Sequence, residues 1–167
     1  MKKQGFTLIE LMVVIVIMGI LAAVAVPKLF GMIAKSKASE VGPAAGTYVK
    51  LQDAYAAESN KLGTWKLIGY TAPGTKAGDN DFSTTNFQYT GSADDAQPLE
   101  GDEGAKITDA WKATALVALN DCKKGESWSI EVEGKPDAVT YKGSYSDENN
   151  CEALTPNFTN IGTKKKE

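Results

Sequence analysis

One carboxylate, that of Glu10, lies four residues after a Gly5-Phe6 bond and inside an otherwise apolar stretch. Residues 6–26 contain no other ionisable side chain, and as an α-helix they extend roughly 31 Å, the thickness of one hydrocarbon layer. An ionised acid at mid-bilayer costs on the order of 2.5 to 3.5 kcal/mol, so such groups usually have a partner and a function. Glutamate is too short to reach the membrane surface well. The pattern predicts a spanning helix whose carboxylate has a cationic partner.

The residues before this stretch indicate the source of that partner. Lys2 and Lys3 hold this end of the chain on the cytoplasmic side. Cleavage between Gly5 and Phe6 would remove both lysines and create an α-ammonium at Phe6, which could pair with Glu10 of a neighbouring subunit. Neutralising two charges together in lipid costs far less than burying either alone. The spacing predicts a device that sets the register of identical subunits in a filament.

These residues resemble the class III signal of type IV pilins and of the related type II secretion pseudopilins. The positions that match the family pattern by type and spacing are Gly5, Phe6, Thr7, Glu10, Gly19 and Pro27. The resemblance implies that a membrane prepilin peptidase cuts after Gly5 and N-methylates Phe6. It also implies that Phe6, Thr7 and Glu10 serve assembly and register, while the apolar helices form the filament core. The segment bracketed by Gly19 and Pro27 is expected to unwind on assembly; a simple proline kink is the alternative.

Two other interpretations of the apolar stretch stay open. Ala23-Val24-Ala25 is an A-x-A site for ordinary signal peptidase, at a suitable distance from the two lysines. Glu10 argues against this interpretation, because nothing in a discarded signal requires a carboxylate. The stretch would also serve as a plain single-span anchor. A secreted hydrolase or binding protein released after Ala25 is therefore the alternative from a different functional class.

Composition limits the chemistry. The chain has 167 residues, a net charge of −3 and no histidine, so it lacks the commonest general base and the commonest transition-metal ligand. No basic face typical of nucleic-acid binding stands out. We predict no enzyme activity, no catalytic residue, no cofactor and no resident metal. The pair Cys122 and Cys151 lies in the part expected to be exported, where an oxidising compartment favours a disulfide bounding residues 122–151.

The elements predict an α+β fold, in which a long N-terminal helix packs its second half on a small antiparallel sheet. The resemblance implies that this is the ladle-like fold of pilins. The expected domains are a leader at 1–5, a helix at 6–59 that spans the membrane at 6–26, and a head at 60–167. Residues expected on the stripe facing the sheet are Phe30, Ile33, Val41, Ala44, Tyr48, Leu51 and Tyr55. A weak point is expected at Gly42-Pro43, with Pro43 in the first turn of a new helical segment.

The head should consist of strands and loops. Strands are predicted at 86–90, 127–133, 138–145 and in part of 106–119, with a turn at 134–137 that makes a hairpin. Residues 65–70 are interpreted as a short strand or a crossing segment, and 71–85 and 91–104 as surface loops. The cysteines precede and follow the hairpin, so a bridge would close its open end.

Several further candidates have an ordinary explanation. Asp79-Asn80-Asp81, Asp94-Asp95 and Asp102-Glu103 carry oxygen ligands for Ca²⁺, yet none forms the loop motif of a calcium site and solvated loops are the better interpretation. Asn157 begins an N-x-T sequon, and Lys164-Lys165-Lys166 forms a basic tail that we expect to be solvated.

Aromatic side chains suggest two further functions. Trp65, Trp111 and Trp128, with Tyr70, Tyr89, Tyr141 and Tyr145, would suit a sugar-binding platform, and Phe6, Phe30, Tyr48 and Tyr55 would suit charge transport. Packing in the core and between helices is the preferred interpretation of both sets.

We therefore predict a major pilin that polymerises into a type IV pilus for adhesion, surface motility or DNA uptake. Its expected partners are identical subunits, the inner membrane, the prepilin peptidase and the pilus assembly platform. Before assembly it would be a single-pass protein of the inner membrane with its head in the periplasm, and afterwards part of an extracellular filament. The alternative is a major pseudopilin of type II secretion, for which the resemblance implies calcium in the head and usually no cysteine pair.

Overall fold

The computed structural model describes residues 5–92, 94–100 and 104–162. Helix α1, Leu8–Ala38, and helix α2, Val41–Ser59, follow each other with a turn at Ser39 and Glu40 between them. The predicted long helix is thus present, and the turn lies just before Gly42-Pro43, with Pro43 in the first turn of α2. Asn60 ends α2 in the left-handed conformation (φ 53°), and its N–H donates to the Ala56 carbonyl.

Over the described residues, six strands form one antiparallel sheet in the order β2-β3-β4-β6-β7-β8. Their bounds are β2 Thr75–Gly78, β3 Asp81–Ser83, β4 Phe87–Thr90, β6 Ala105–Ala115, β7 Ser127–Lys135 and β8 Ala138–Tyr145. Two short strands, β1 Lys61–Leu62 and β5 Gln97–Pro98, pair with each other beside the end of α2. The predicted α+β architecture is confirmed.

The strand predictions succeed where alternation is long. β7 and β8 form the expected hairpin, with Lys135 opposite Ala138 across a turn of two residues, Pro136 and Asp137. The strand predicted in part of 106–119 is β6, which is interrupted by a bulge at Asp109, whose φ is 49°.

One prediction outside these long strands is wrong. Residues 71–85 are not only a loop, because β2 and β3 form a second hairpin there. Residues 65–69 form a turn, which agrees with the crossing segment and excludes the short strand that was its alternative.

The core lies between α2 and the sheet. Helix residues buried against the head are Ala34, Ala38, Val41, Ala44, Ala45, Tyr48, Val49, Gln52 and Ala56. The predicted stripe is therefore wrong at its start, since Phe30 and Ile33 precede the head and are 59% and 50% exposed. Gln52 is fully buried, and its side-chain amide pairs with the backbone of Gly63 at 3.1 and 2.9 Å. This pairing satisfies a polar group inside the core.

A disulfide joins Cys122, just before β7, to Cys151 at the end of the short helix α3, Glu148–Cys151. Both cysteines are fully buried. Two 3₁₀ turns, Glu152–Leu154 and Phe158–Asn160, then bring the chain back towards α1 and β8. The bridge closes the open end of the β7–β8 hairpin, as the sequence predicted.

Candidate functional site

The apolar half of α1 stands free of the head. Every residue from Gly5 to Phe30 is exposed, with Phe6 at 85% and Leu8 at 76%. The described residues contain one helical stretch, Leu8–Ser59, that is long and apolar enough to cross a membrane. The apolar part of this stretch is not buried in the head, so its surface would be uncovered in an aqueous environment. An uncovered surface of this size marks a membrane or assembly site.

Glu10 and Thr7 form a capping box at the start of α1. The Thr7 backbone N–H and hydroxyl both donate to Glu10 Oε2, at 2.8 and 2.7 Å, and the Glu10 N–H donates to Thr7 Oγ1 at 3.3 Å. These bonds satisfy N–H groups that the first turn of a helix leaves without partners. Both hydrogen bonds to the Glu10 carboxylate end on Oε2, which leaves Oε1 available to an incoming donor. The structure thus brings together two of the three residues predicted to set register, Thr7 and Glu10.

The predicted scissile bond is accessible. Gly5 and Phe6 precede the helix, and both are exposed. The remaining leader residues, 1–4, lie outside the described residues, as do Asp102, Glu103 and the tail lysines 164–166. Gly5 and Phe6 are therefore placed where a protease could bind an extended strand of chain.

Gly19 and Pro27 lie within a continuous α1. A proline inside a helix removes one backbone hydrogen bond and crowds the preceding turn, yet the helix runs unbroken from Leu8 to Ala38. A Cβ added at Gly19 would meet nothing within 4 Å. Unwinding of the bracketed segment on assembly stays a prediction.

Glu40 fixes the turn between the helices to the sheet. Its Oε1 accepts from the Tyr89 hydroxyl at 3.0 Å and from Thr84 Oγ1 at 2.8 Å. Burial, together with the neighbouring Glu40 carboxylate, raises the pKa of the Tyr89 hydroxyl. Sequence reasoning missed this contact, since the partners are 49 residues apart and no local pattern connects them.

Two more tyrosine hydroxyls bind α2 to the head. Tyr141 donates to Asp53 Oδ1 at 2.7 Å, and Tyr70 donates to the Ala44 carbonyl at 3.1 Å. The Trp111 indole N–H in turn donates to the Tyr70 hydroxyl at 2.8 Å. Burial raises the pKa of Tyr141, with Asp53 adding to the shift, and burial raises the pKa of Tyr70 to about 12. These bonds hold α2, which directly follows α1, in one position on the head.

The aromatic platform predicted as an alternative is excluded by burial. Trp65, Trp111 and Trp128 are each at most 1% exposed. Their ring neighbours place them in the core, with Trp65 against Tyr70 and Phe82, Trp111 against Tyr89, and Trp128 against Phe87. Core packing, the preferred interpretation, is confirmed for the tryptophans.

The acidic clusters have local partners. Asp79 accepts from Lys76 Nζ at 3.0 Å, and this hydrogen bond holds the pKa of Asp79 below its usual value. Asp81 accepts from Gln88, and Asp94 and Asp95 are exposed. Among the described residues, no group of three or more potential ligands is placed to hold a metal. Asn157 of the sequon is exposed before the second 3₁₀ turn.

Comparisons with known proteins agree with this geometry. Residues 1–26 match a family model described as the prokaryotic N-terminal methylation motif. The chain is 38% identical over 161 residues to the type IV major fimbrial protein FimA of Dichelobacter nodosus, covering 84% of this chain and 96% of the relative. It is 34% identical over 140 residues to fimbrial protein Q of Moraxella bovis, covering 79% and 87%. A stretch of 39 residues, 23% of this chain and 18% of the relative, is 56% identical to the type IV major pilin protein PilA of Myxococcus xanthus.

Proposed function

The chain belongs to the type IV pilin family and is a structural pilin subunit, and on this premise we propose that it polymerises through α1 into a pilus of identical subunits. The observation that carries the proposal is the apolar surface of α1, which the head leaves uncovered from Gly5 to Phe30. Lipid covers this surface before assembly, and the helices of neighbouring subunits cover it afterwards. The relatives are named as fimbrial and pilin proteins rather than secretion components, so the pseudopilin alternative is not favoured.

We further propose that the chain is processed before assembly. Prepilin peptidase cuts between Gly5 and Phe6 and N-methylates Phe6, which the match to the methylation motif supports. Before assembly the chain is anchored in the inner membrane with its head in the periplasm, and it then joins an extracellular filament through the pilus assembly platform. The relatives are named as fimbrial and pilin proteins rather than enzymes, which supports a structural function.

Glu10 is proposed to change partners when a subunit is incorporated. In the free subunit its carboxylate caps its own helix through Thr7. In the filament the α-ammonium of a neighbouring Phe6 would bind the same carboxylate, so that the two charges are buried as a pair. Burial of an unpaired carboxylate between apolar helices would be strongly unfavourable. Only the register that pairs the two charges is then stable.

Three variants separate charge pairing from helix capping. Glu10→Gln removes the charge but keeps a side-chain oxygen that can accept from Thr7. Thr7→Ala removes the hydroxyl that caps the Glu10 N–H but keeps the charge, and Glu10→Ala removes both the charge and the carboxylate that accepts from Thr7. We expect all three to be cleaved after Gly5, with filaments lost in both Glu10 variants and retained in Thr7→Ala. Intact mass reports cleavage and methylation, and sheared surface fractions report filaments. Normal filaments from Glu10→Gln would refute charge pairing.

The same mass measurement tests the pathway itself. An exported chain that begins at Phe6 with one added methyl group is expected. A chain that begins at Val26 would show that ordinary signal peptidase removes the apolar stretch, and the filament proposal would then be wrong.

A further inference from the structure

The segment between the membrane span and the head comprises residues 28–35. Half of its residues are apolar, and the head leaves these apolar side chains exposed. We call this segment the collar. Ala34 is the first residue of α1 that is buried against the head. The apolar collar residues below it are between 50% and 60% exposed: Leu29, Phe30, Met32 and Ile33. The exposed apolar surface therefore continues beyond the point where the span was predicted to end.

Lysines stand at both ends of the collar. Lys28 and Lys35 are seven residues apart, which places them on one face of the helix, and both are exposed. Neither forms an ion pair within the part of the chain that the structure describes. Residues 41–162, by contrast, contain 10 lysines and 18 acidic residues, a net charge of −8. The positive charge of the collar is thus set apart from an acidic head.

The distribution of charge along α1 places the collar in the headgroup layer. The stretch free of charge, residues 11–27, is about 25 Å long as a helix and fits within a hydrocarbon core of about 30 Å. Glu10 then lies near one edge of the core and Lys28 near the other. This position also puts the first turn of α1 at the lipid surface, where water reaches the N–H groups that a helix start leaves unpaired.

The collar is longer than that layer, but the length and tilt of the lysine side chains cover the difference. Lys35 lies about 12 Å beyond Pro27 along the axis, and helical side chains tilt towards the N-terminus, so its ammonium extends back towards the lipid. The polar layer of a bilayer is roughly 5 to 8 Å thick on each side. Both lysine ammonium groups can therefore reach lipid phosphates, while the apolar residues between them lie at the level where aromatic and apolar side chains anchor membrane helices.

We propose that, before assembly, the collar binds the headgroup layer of the outward-facing leaflet and prefers anionic phospholipid through Lys28 and Lys35. The proposal rests on the membrane-anchored stage of the proposed function. Continuity with the span and charge complementarity favour lipid over a second copy of the chain as the occupant at this stage. The contact holds the head on the membrane surface and opposes the repulsion between its negative charge and anionic lipid.

Tryptophan probes in the full-length protein test the position of the collar. The protein is reconstituted in phosphatidylcholine vesicles with or without 30% phosphatidylglycerol, and the emission of the wild type, from three buried tryptophans, is subtracted. Phe30→Trp reports the collar, Ile17→Trp the middle of the span, and Lys50→Trp the exposed surface of α2. We expect Trp at 30 to be quenched by lipids brominated near the headgroup and to be at least threefold less sensitive to iodide than Trp at 50.

The controls separate this proposal from the proposed function. If Trp at 17 is not quenched by lipids brominated deep in the acyl chain, the membrane anchor itself is refuted. If Trp at 17 is quenched but Trp at 30 is as sensitive to iodide as Trp at 50, only the collar is refuted. Protection of Trp at 30 from both iodide and brominated lipid would identify a second copy as the occupant and would also overturn the proposal.

A lysine variant tests the preference for anionic lipid. Energy transfer from Trp at 30 to a headgroup-labelled phosphatidylglycerol is compared with transfer to the same label on a neutral lipid. We expect at least twofold more transfer to the anionic lipid, and equal transfer once Lys28→Gln and Lys35→Gln are combined. The matched control is Lys50→Gln, which should leave the ratio unchanged. Equal transfer in the chain with all three lysines would refute the preference.

Discussion

Removing the disulfide should destabilise the head by an amount set mainly by the loop that it closes. Cys122 and Cys151 are 29 residues apart, and the chain-entropy relation for a loop of that length gives about 3.6 kcal/mol at 25 °C. The loop contains the whole β7–β8 hairpin, which contributes the edge strand β8 and the strand next to it. Replacing both cysteines with alanine therefore leaves the hairpin without its covalent closure. This change should remove a large part of the free energy of unfolding of the head.

The assay is urea unfolding of the full-length protein in detergent, followed by tryptophan fluorescence. All three tryptophans lie in the head, so the signal reports the head rather than α1. With a denaturant dependence of about 2 kcal/mol per molar urea, the midpoint should fall by roughly 2 M.

Two controls accompany this measurement. Wild type unfolded and refolded in reductant should match the double variant, and reductant should not change the variant. A loss below about 1 kcal/mol would refute the assignment of head stability to this closure.

Three further predictions concern the head. Gly134→Ala should cost about 1 to 3 kcal/mol, because its Cβ would overlap a methyl group of Leu99. Gly46→Ala in α2, whose Cβ meets nothing within 4 Å, should gain about 0.5 to 1 kcal/mol, and equal urea midpoints would contradict both predictions. Tyr141→Phe should cost about 1.5 to 3 kcal/mol by removing the bond to Asp53, and an unchanged midpoint would show that this bond contributes nothing. Burial raises the pKa of Tyr70 to about 12, so the stability that depends on its neutral hydroxyl is complete below about pH 10 and is lost between about pH 10 and 12. Urea midpoints measured across this pH range should fall less in Tyr70→Phe than in the wild type. An identical dependence of the midpoint on pH in the two proteins would exclude a contribution from Tyr70.

The long periodic elements were predictable from sequence, and the short ones were not. A long apolar run leaves few alternatives to a helix, and the alternation in β7 identifies a strand without reference to its neighbours. β2 and β3 have four and three residues, too few for a period to be recognised among glycines and acids. Tertiary pairing with β4, rather than local propensity, makes β3 a strand.

In the candidate site, too, local contacts were predictable from sequence and long-range contacts were not. Thr7 and Glu10 are three residues apart, so their pairing follows from helix geometry and from the residue types. The contact of Glu40 with Tyr89 joins segments 49 residues apart, and no motif in either segment indicates the other. The exposed state of Phe30 and Ile33 was also hidden, because a helical stripe shows which residues share a face but not where a neighbouring sheet begins.

The free half of α1 is apolar all the way round, which has a consequence for how subunits are oriented. A surface without a polar stripe does not favour one rotation angle of the helix about its own axis, because rotation replaces one hydrocarbon face by another. In the proposed filament the charge pair at Glu10 sets the axial position, and the turn at Glu40 fixes the head to the helix. The angular setting of each subunit must then be encoded by the head. Changes on the head surface would be expected to alter the helical symmetry of an assembly while leaving its central bundle of helices intact.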